Sequence, residues 1–122
     1  MHTKSRKSFA VVVGIVCSIA ATLALAGEWS GKTTIGRIVV REDQTVLVYR
    51  VTGKWINPDL CDNDSRVVLP PPGAEGGTLA YREVYVSLLG AHLAKRKIKA
   101  FVKGCTSVGN QSYPTLVRVT IY

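Results

Sequence analysis

The stretch KIKAFVKGC, residues 97–105, carries the clearest structural pattern in the chain. Apolar side chains occupy every second position, which predicts a strand with one buried face: Ile98, Ala100 and Val102. The side chains between them form the opposite face: Lys97, Lys99, Phe101 and Lys103. Basic groups flanking an aromatic ring suit an anionic polymer, so this face is the candidate ligand-binding surface. The alternative is a solvated lysine face with Phe101 covered by a loop.

The segments on either side of this stretch predict a mainly β chain with one helix. β-branched and apolar residues alternate in several short runs, which predict strands: 32–41, 45–51, 66–70 and 115–122, with a short continuation at 54–56. Apolar residues recur at three- and four-residue steps over 78–94, which predicts a helix with Thr78 as its N-cap. Turn-forming residues predict loops elsewhere: 57–66, 70–77 and 104–114.

The order of these elements favours one architecture. Short strands, expected to be mostly antiparallel, with a single helix placed late suit a small closed or partly closed barrel. The five-stranded antiparallel barrel called the OB-fold, with a helix between its third and fourth strands, is the first expectation. An open α+β sheet is the alternative.

The N-terminus predicts export. Residues 1–8 carry Lys4, Arg6 and Lys7, residues 9–25 contain no charge, and the triplet Ala24-Leu25-Ala26 follows. A basic start, an apolar stretch and a small-x-small site describe a secretory signal peptide over residues 1–26. The alternative is an uncleaved N-terminal anchor, because 17 apolar residues are at the short limit for a membrane span. Cleavage leaves a single domain over residues 27–122, secreted or periplasmic, with no membrane span.

Charge predicts an anionic partner or none at all. The whole chain has 16 basic and 8 acidic residues, and losing the three basic residues of the leader leaves 13 against 8, a net charge of +5. A basic domain is attracted to acidic glycans, phospholipid headgroups, lipopolysaccharide or nucleic acid. A secreted protein rarely meets nucleic acid as its main ligand, so that partner is the least expected. The alternative is a charge that serves solubility alone.

The acidic stretch WINPDLCDNDSR, residues 55–66, surrounds Cys61 with side chains that resemble metal ligands. A zinc site needs four Cys or His ligands at short spacing, and Cys61, His92 and Cys105 are only three and widely spread. A calcium loop needs Gly at position 6, which counted from Asp59 is Asp64. Asn and Asp also form turns by bonding to their own backbone. Export leaves two cysteines, and an even number in an oxidising compartment predicts a Cys61–Cys105 disulfide. No metal and no cofactor are expected.

Catalytic residues are sparse beyond the leader. The one histidine there is His92, which periodicity places at the edge of the helix's core face, and Glu83 falls at an exposed helix position. Nucleophilic or acid–base catalysis needs a nucleophile and a base within hydrogen-bond reach, and no such set can be assembled with any specificity. We therefore expect a non-enzymatic protein, with a small carboxylate hydrolase as the least favoured alternative.

Several local features carry a resemblance to a known family. They are the start GEWSGKTTIG (27–36) with Glu28-Trp29-Ser30-Gly31, the β-rich first half, a cysteine after a strand, the late helix and KGC (103–105). Together they resemble small secreted bacterial proteins with the fold of AB5 toxin binding subunits, especially the subtilase-cytotoxin B-subunit type. The resemblance implies an OB-fold barrel with a disulfide, and ring-shaped homo-oligomers that bind host glycans.

The resemblance also bears on one strand position. Family members that bind sialylated glycans use a hydroxyl residue just before a glycine in the first strand. This chain has Ile35 before Gly36, so Thr34, the nearest hydroxyl, is the candidate ligand-binding residue at this place. The expected function is thus an exported binding module for a glycan or an anionic surface molecule. The alternative is a protein–protein interaction or inhibitor module that uses the 70–77 loop.

Overall fold

The computed structural model describes residues 26–122. Of the predicted signal peptide, residues 1–26, only Ala26 lies within the described residues. The described chain forms six strands and one helix. They are β1 (Glu28–Trp29), β2 (Thr33–Val40), β3 (Val46–Arg50), β4 (Arg66–Leu69), α1 (Tyr81–Leu93), β5 (Lys97–Val108) and β6 (Gln111–Ile121). The prediction of a mainly β chain with one late helix is therefore confirmed.

Five of the strands pair in an order that returns to its start. β2, β3 and β4 form an antiparallel meander, β4 lies beside β6, β6 pairs with β5, and β5 pairs with β2. β1 pairs with β5 on the same edge as β2, where Trp29 lies opposite Phe101. The sheet is thus ring-like, and β5 holds neighbours on both of its edges.

The expectation of antiparallel pairing is wrong at one position in this ring. β4 and β6 run parallel, with Val68 opposite Thr115. The reason is geometric: five strands that close on themselves cannot all alternate in direction, since an odd number leaves one neighbouring pair with the same direction. The pair that runs parallel is the one separated along the chain by α1 and β5, as a parallel connection requires a long crossover.

The core lies inside the ring and under α1. The inward side chains of β5 predicted from the alternation, Ile98, Ala100 and Val102, are fully buried. The helix contributes three buried side chains that pack on the strands: Val84, Leu88 and Ala91. The other buried members of this cluster are Ile35, Val46, Val48, Trp55, Val67, Leu69 and Leu116. The helix is therefore held mainly by the apolar face that it buries, as is usual for short helices.

Three predicted boundaries are corrected by the structure. Residues 54–56 are not a strand; Trp55 packs in the core there, and its indole Nε1 donates to the carbonyl of Val48 at 3.0 Å. The helix begins at Tyr81, after Ala80, and the Thr78 hydroxyl accepts the Ala80 amide at 3.2 Å from outside the helix. Residues 104–114 are not an open loop, because β5 and β6 extend through them.

That extension forms a long hairpin. β5 runs to Val108 and β6 begins at Gln111, with Gly109 in the turn at φ 67°. A positive φ is readily adopted by glycine, which suits the tight connection. The far end of the hairpin covers the outer face of β3 and β4, where Val108 packs against a second cluster of Leu47, Val68 and Tyr113.

The helix provides a matched pair of leucines to test this packing. Leu88 is 0% exposed and Leu93 is 81% exposed on the same helix. Leu88→Ala is expected to lower the free energy of unfolding by about 2–5 kcal/mol, because it leaves a cavity under α1. Leu93→Ala should change it by less than about 0.5 kcal/mol. Urea unfolding followed by circular dichroism measures both, and equal losses would contradict this position for α1.

Candidate functional site

The outer face of β5 gathers cations and aromatic rings from three strands and from the segment between β1 and β2. Because the inward residues of β5 fill the core, the alternate residues Lys97, Lys99 and Phe101 face outward. We call this face, with its neighbours, the basic aromatic surface. Its members are Trp29, Lys32, Lys97, Lys99, Phe101, Arg118 and Tyr122.

One half of the surface is a row across β1, β5 and β6. Phe101 lies opposite Trp29 on β1 and opposite Arg118 on β6. The Trp29 and Phe101 rings meet edge to face with centroids 5.3 Å apart. The Arg118 guanidinium carbon lies 4.6 Å from the Phe101 centroid and 5.9 Å from the Trp29 centroid. Phe101 is half-buried by these neighbours, and Trp29, 41% exposed, presents the accessible ring.

The other half surrounds Tyr122. The Lys32 ammonium lies 4.2 Å from the centroid of the Tyr122 ring, and the Lys99 ammonium lies 5.9 Å from it. The Tyr122 backbone is fixed because its amide donates to the carbonyl of Lys97 at 2.9 Å. The Arg96 Nε also donates to the carbonyl of Tyr122 at 2.7 Å. Two cations therefore share one exposed ring at the start of β5.

The structure separates the remaining predicted site residues. Thr34 lies opposite Lys97 in the β2–β5 pair, so it borders the basic aromatic surface. Lys103 lies apart, next to a bulge between Val102 and Cys105, and lines a cleft that also contains Asp59 and Glu75. A bulge interrupts the two-residue alternation, so Lys103 does not continue the row of Lys97 and Lys99.

The cations of this surface pair with no carboxylate of the described residues. Within residues 26–122 the one ion pair is Arg41–Asp43, whose Nε and Oδ1 atoms are 3.9 Å apart, and it lies outside the surface. Aromatic rings attract cations weakly through the negative charge on their faces and do not neutralise them. The positive groups therefore remain available to an anionic ligand. A cleft of about 420 Å³ adjoins them, lined in part by Trp29 and Arg118 and, from α1, by Glu83, which is not within ion-pair distance of Arg118.

The side chains of the acidic stretch 55–66 bond to backbone groups around a disulfide. Cys61 is joined to Cys105, with Cα atoms 5.7 Å apart and 44 residues apart in sequence, so the predicted disulfide is confirmed. The Asn57 side chain accepts the Cys61 amide at 2.8 Å and donates to the Cys61 carbonyl at 2.9 Å. The Asp59 carboxylate accepts the Gly104 amide at 2.7 Å on the other side of the bond.

The same stretch is also attached to the hairpin beyond the disulfide. The Asp62 amide donates to the Ser112 hydroxyl at 3.0 Å, and the Ser112 amide donates to the Asp62 carboxylate at 2.9 Å. The Asn63 amide donates to the Ser112 carbonyl at 3.0 Å. The carboxylates and amides therefore satisfy backbone donors around a cross-link. In the part of the chain that the structure describes, no three Cys, His, Asp or Glu side chains lie close enough to hold a metal ion.

His92 makes a structural contact. Its Nδ1 lies 3.2 Å from the carbonyl of Ile35, which joins the end of α1 to β2. The half-buried ring thus lies at the edge of the core, as its helix position predicts. Over residues 26–122, none of the helical segments combines the length and the apolar character needed to cross a membrane.

No family model, curated protein or solved structure matches this chain. What the basic aromatic surface binds must therefore be argued from its own charges and rings. The sequence did not predict Trp29, Lys32, Arg118 or Tyr122 as site residues. Trp29 and Arg118 flank Phe101 only through strand pairing, because they are far from it in sequence and opposite it in the sheet.

The cross-link supports a quantitative expectation. Replacing both Cys61 and Cys105 by serine should lower the free energy of unfolding by about 3–4 kcal/mol, because the unfolded chain regains the freedom of a 44-residue loop. Urea unfolding of protein secreted from the full-length chain measures the loss. Reduction of the unsubstituted protein is the control and should give a similar loss. Two free thiols at these positions in the unreduced protein would contradict the disulfide.

Proposed function

We propose that this protein is an exported, non-enzymatic binding module that recognises an anionic glycan or surface molecule through the basic aromatic surface. The observation that carries the proposal is a set of three cations placed around three rings, with no carboxylate partner among residues 26–122. They are Lys32, Lys99 and Arg118, around Trp29, Phe101 and Tyr122, and Lys97 lies on the same outward face of β5.

The chemistry of these groups suits an acidic carbohydrate. Sulfate and carboxylate groups accept charge-assisted hydrogen bonds from lysine and arginine. The exposed Trp29 ring offers an apolar face with a polar edge, which can lie against a sugar ring while the cations hold its charged substituents. Most of these side chains lie on paired strands, so their spacing is fixed before a ligand arrives.

The order of strand pairing supports the assignment of an OB-fold. A five-stranded ring with a helix between its third and fourth strands is the arrangement of an OB-fold barrel, a fold used for oligosaccharides and oligonucleotides. We therefore infer an OB-fold and retain the similarity to AB5 toxin binding subunits as a proposal. Thr34, the hydroxyl nearest to the position that the resemblance implicates, borders the basic aromatic surface. A ring of identical subunits is the assembly that this similarity suggests.

Export is supported by two independent features. The disulfide is a bond that persists in oxidising compartments, which include the periplasm and the cell exterior. The basic, apolar and small-x-small pattern of residues 1–26 is typical of a cleaved leader. Both point to a protein that works outside the cytoplasm, where acidic surface glycans are exposed.

The proposal predicts charge-dependent binding to a sulfated oligosaccharide. Calorimetric titration with a heparin octasaccharide should give saturable binding that weakens as salt is added, because exposed charges are screened. Arg118→Met should weaken binding about fivefold and Lys97→Gln/Lys99→Gln about tenfold or more, since one surface cation contributes ~1 kcal/mol.

Matched substitutions at exposed cations away from the surface provide the control. Arg82→Met on α1 and Lys54→Gln before Trp55 remove the same charges and should leave the affinity within about twofold. If these controls weaken binding as much as Arg118→Met, net charge alone explains the affinity and the surface is not the site. Equal affinity for an uncharged oligosaccharide of the same length would contradict recognition of an anion.

A second candidate function is a protein–protein interaction or inhibitor module. The observation that favours it is a cleft of about 630 Å³ between α1, the end of the 70–77 loop and the end of β2. The exposed side chains of Leu79 and Val40 and the ring of Pro72 line it. Tyr81 also lines the cleft and donates its hydroxyl to the carbonyl of Gln44. Burial, with Tyr85 and Asp43 nearby, raises the pKa of Tyr81.

One capture experiment distinguishes the glycan-binding function from the protein-binding function. If the cleft binds a protein, Leu79→Asp should abolish its capture from extracts of the producing cell, because an apolar side chain that would be buried becomes charged. Lys97→Gln/Lys99→Gln should leave that capture unchanged. Mass spectrometry of the captured proteins measures both. Capture that is lost only with the lysine variant would contradict the cleft as the protein-binding site.

A further inference from the structure

A second row of arginine and aromatic side chains lies on the outer face of β2, β3 and β4. Arg37, Tyr49 and Arg66 are direct neighbours in the strand register, and Tyr113 of β6 follows Arg66. We call these four residues the arginine–tyrosine row. It shares no residue with the basic aromatic surface.

The cations and rings of this row alternate. The Arg37 guanidinium carbon lies 4.2 Å from the Tyr49 centroid, and that of Arg66 lies 5.0 Å from the same centroid. Arg66 also lies 4.7 Å from the Tyr113 centroid, so its guanidinium is held between two rings. Strands are spaced about 4.8 Å apart, so Arg37 and Arg66 approach Tyr49 from opposite sides.

The row rests on a packed support. Tyr49 and Tyr113 belong to the second apolar cluster, in which Leu47, Val68 and Tyr113 are almost fully buried. The Tyr113 hydroxyl also donates to the Gln111 side chain at 3.2 Å. Because Arg66 is stacked on packed rings, its side chain would lose little rotamer freedom on binding a ligand, and this lowers the entropy cost of binding.

The charge of the row is not compensated by the protein. No carboxylate lies within ion-pair distance of Arg37 or Arg66 in residues 26–122, where Arg41–Asp43 is the one ion pair. The Nε of Arg66 is buried and has no hydrogen-bond acceptor. Native proteins rarely leave a buried donor of a charged group without a partner, and such a group is a reason to look for a bound ion.

We propose that the arginine–tyrosine row is a second anion-binding site, which takes two negatively charged groups of one acidic oligosaccharide. The two guanidinium carbons lie no more than 9.2 Å apart, which is the two distances to the Tyr49 centroid taken end to end. Because the Tyr49 ring lies between them, the two cations fit successive sulfate or carboxylate groups along a chain better than they fit one small anion.

The rings distinguish a glycan from single-stranded nucleic acid. Proteins that bind single strands offer free aromatic faces on which bases stack. Tyr49 has a guanidinium on each side of its ring, and Tyr113 is 5% exposed. The row therefore offers charges without a stacking face, which favours an acidic carbohydrate over a nucleic acid.

Arginine side-chain signals in 15N NMR spectra test the site directly. Protein secreted from the full-length chain is titrated with a heparin octasaccharide, and the Nε–Hε signals of Arg37 and Arg66 should shift and saturate, while that of Arg82 should not. Arg37→Met, at an exposed position, should weaken the affinity read at the Arg66 signal about fivefold. Inorganic sulfate should shift the same signals only at higher concentration, because it engages one arginine at a time.

The outcomes separate this site from the basic aromatic surface. Shifts at Arg118 without shifts at Arg37 and Arg66 would overturn the row and leave the proposed function standing. Shifts at Arg37 and Arg66 without a shift at Arg118 would support the row and count against the basic aromatic surface. Equal affinity for single-stranded DNA of the same charge, read at the same signals, would overturn the choice of a carbohydrate. Loss of shifts with Arg66→Met alone, but not with Arg37→Met, would overturn the two-group ligand.

Discussion

The pairing of β5 on both of its edges is the constraint on which the rest of the structure depends. β6 lies along one edge, and the chain from Glu28 to Thr34 lies along the other. Between these edges Ile98, Ala100 and Val102 are withdrawn completely from solvent. Burying these three side chains stabilises the fold by several kcal/mol in order of magnitude. The pairing of β5 on both edges also closes the five-stranded ring. A closed ring with an odd number of strands must contain a parallel pair, and here that pair is β4–β6.

The same alternation that fills the core produces the basic aromatic surface. Every inward apolar residue at the start of β5 has a neighbour that must face solvent, and those neighbours are Lys97, Lys99 and Phe101. Register then places Trp29 and Arg118 on either side of Phe101. In both arginine-containing rows, aromatic rings contact the cations, and no carboxylate of residues 26–122 pairs with them.

The sequence predicts those features that depend on neighbours along the chain. The strand over 97–103, the helix and the Cys61–Cys105 bond follow from a two-residue period, a helical period and a count of cysteines. The two-residue strand β1 was not predictable from the sequence, because two residues cannot show a period. It exists only through pairing with β5. Lys103 lies apart from the other lysines because a bulge, with Gly104 at φ 77°, breaks the alternation after Val102.

The arginine–tyrosine row is a second feature that local sequence patterns could not predict. Arg37, Tyr49, Arg66 and Tyr113 are spread over four strands, and nothing in their local sequence marks them as neighbours. Their alternation is created by register alone. The net charge of +5 after residue 26 predicts attraction to anionic molecules but not where one would bind, because charge is a property of composition and a site is a property of strand order.

Tryptophan fluorescence tests most directly the central claim that the outer face of β5 binds the anionic ligand. Trp29 is 41% exposed on this face, whereas Trp55 is 3% exposed in the core. Titration with a heparin octasaccharide should change the emission saturably and protect it from acrylamide quenching, and both effects should disappear in Trp29→Phe. Calorimetric binding of the octasaccharide with no change in Trp29 emission or quenching would contradict the account.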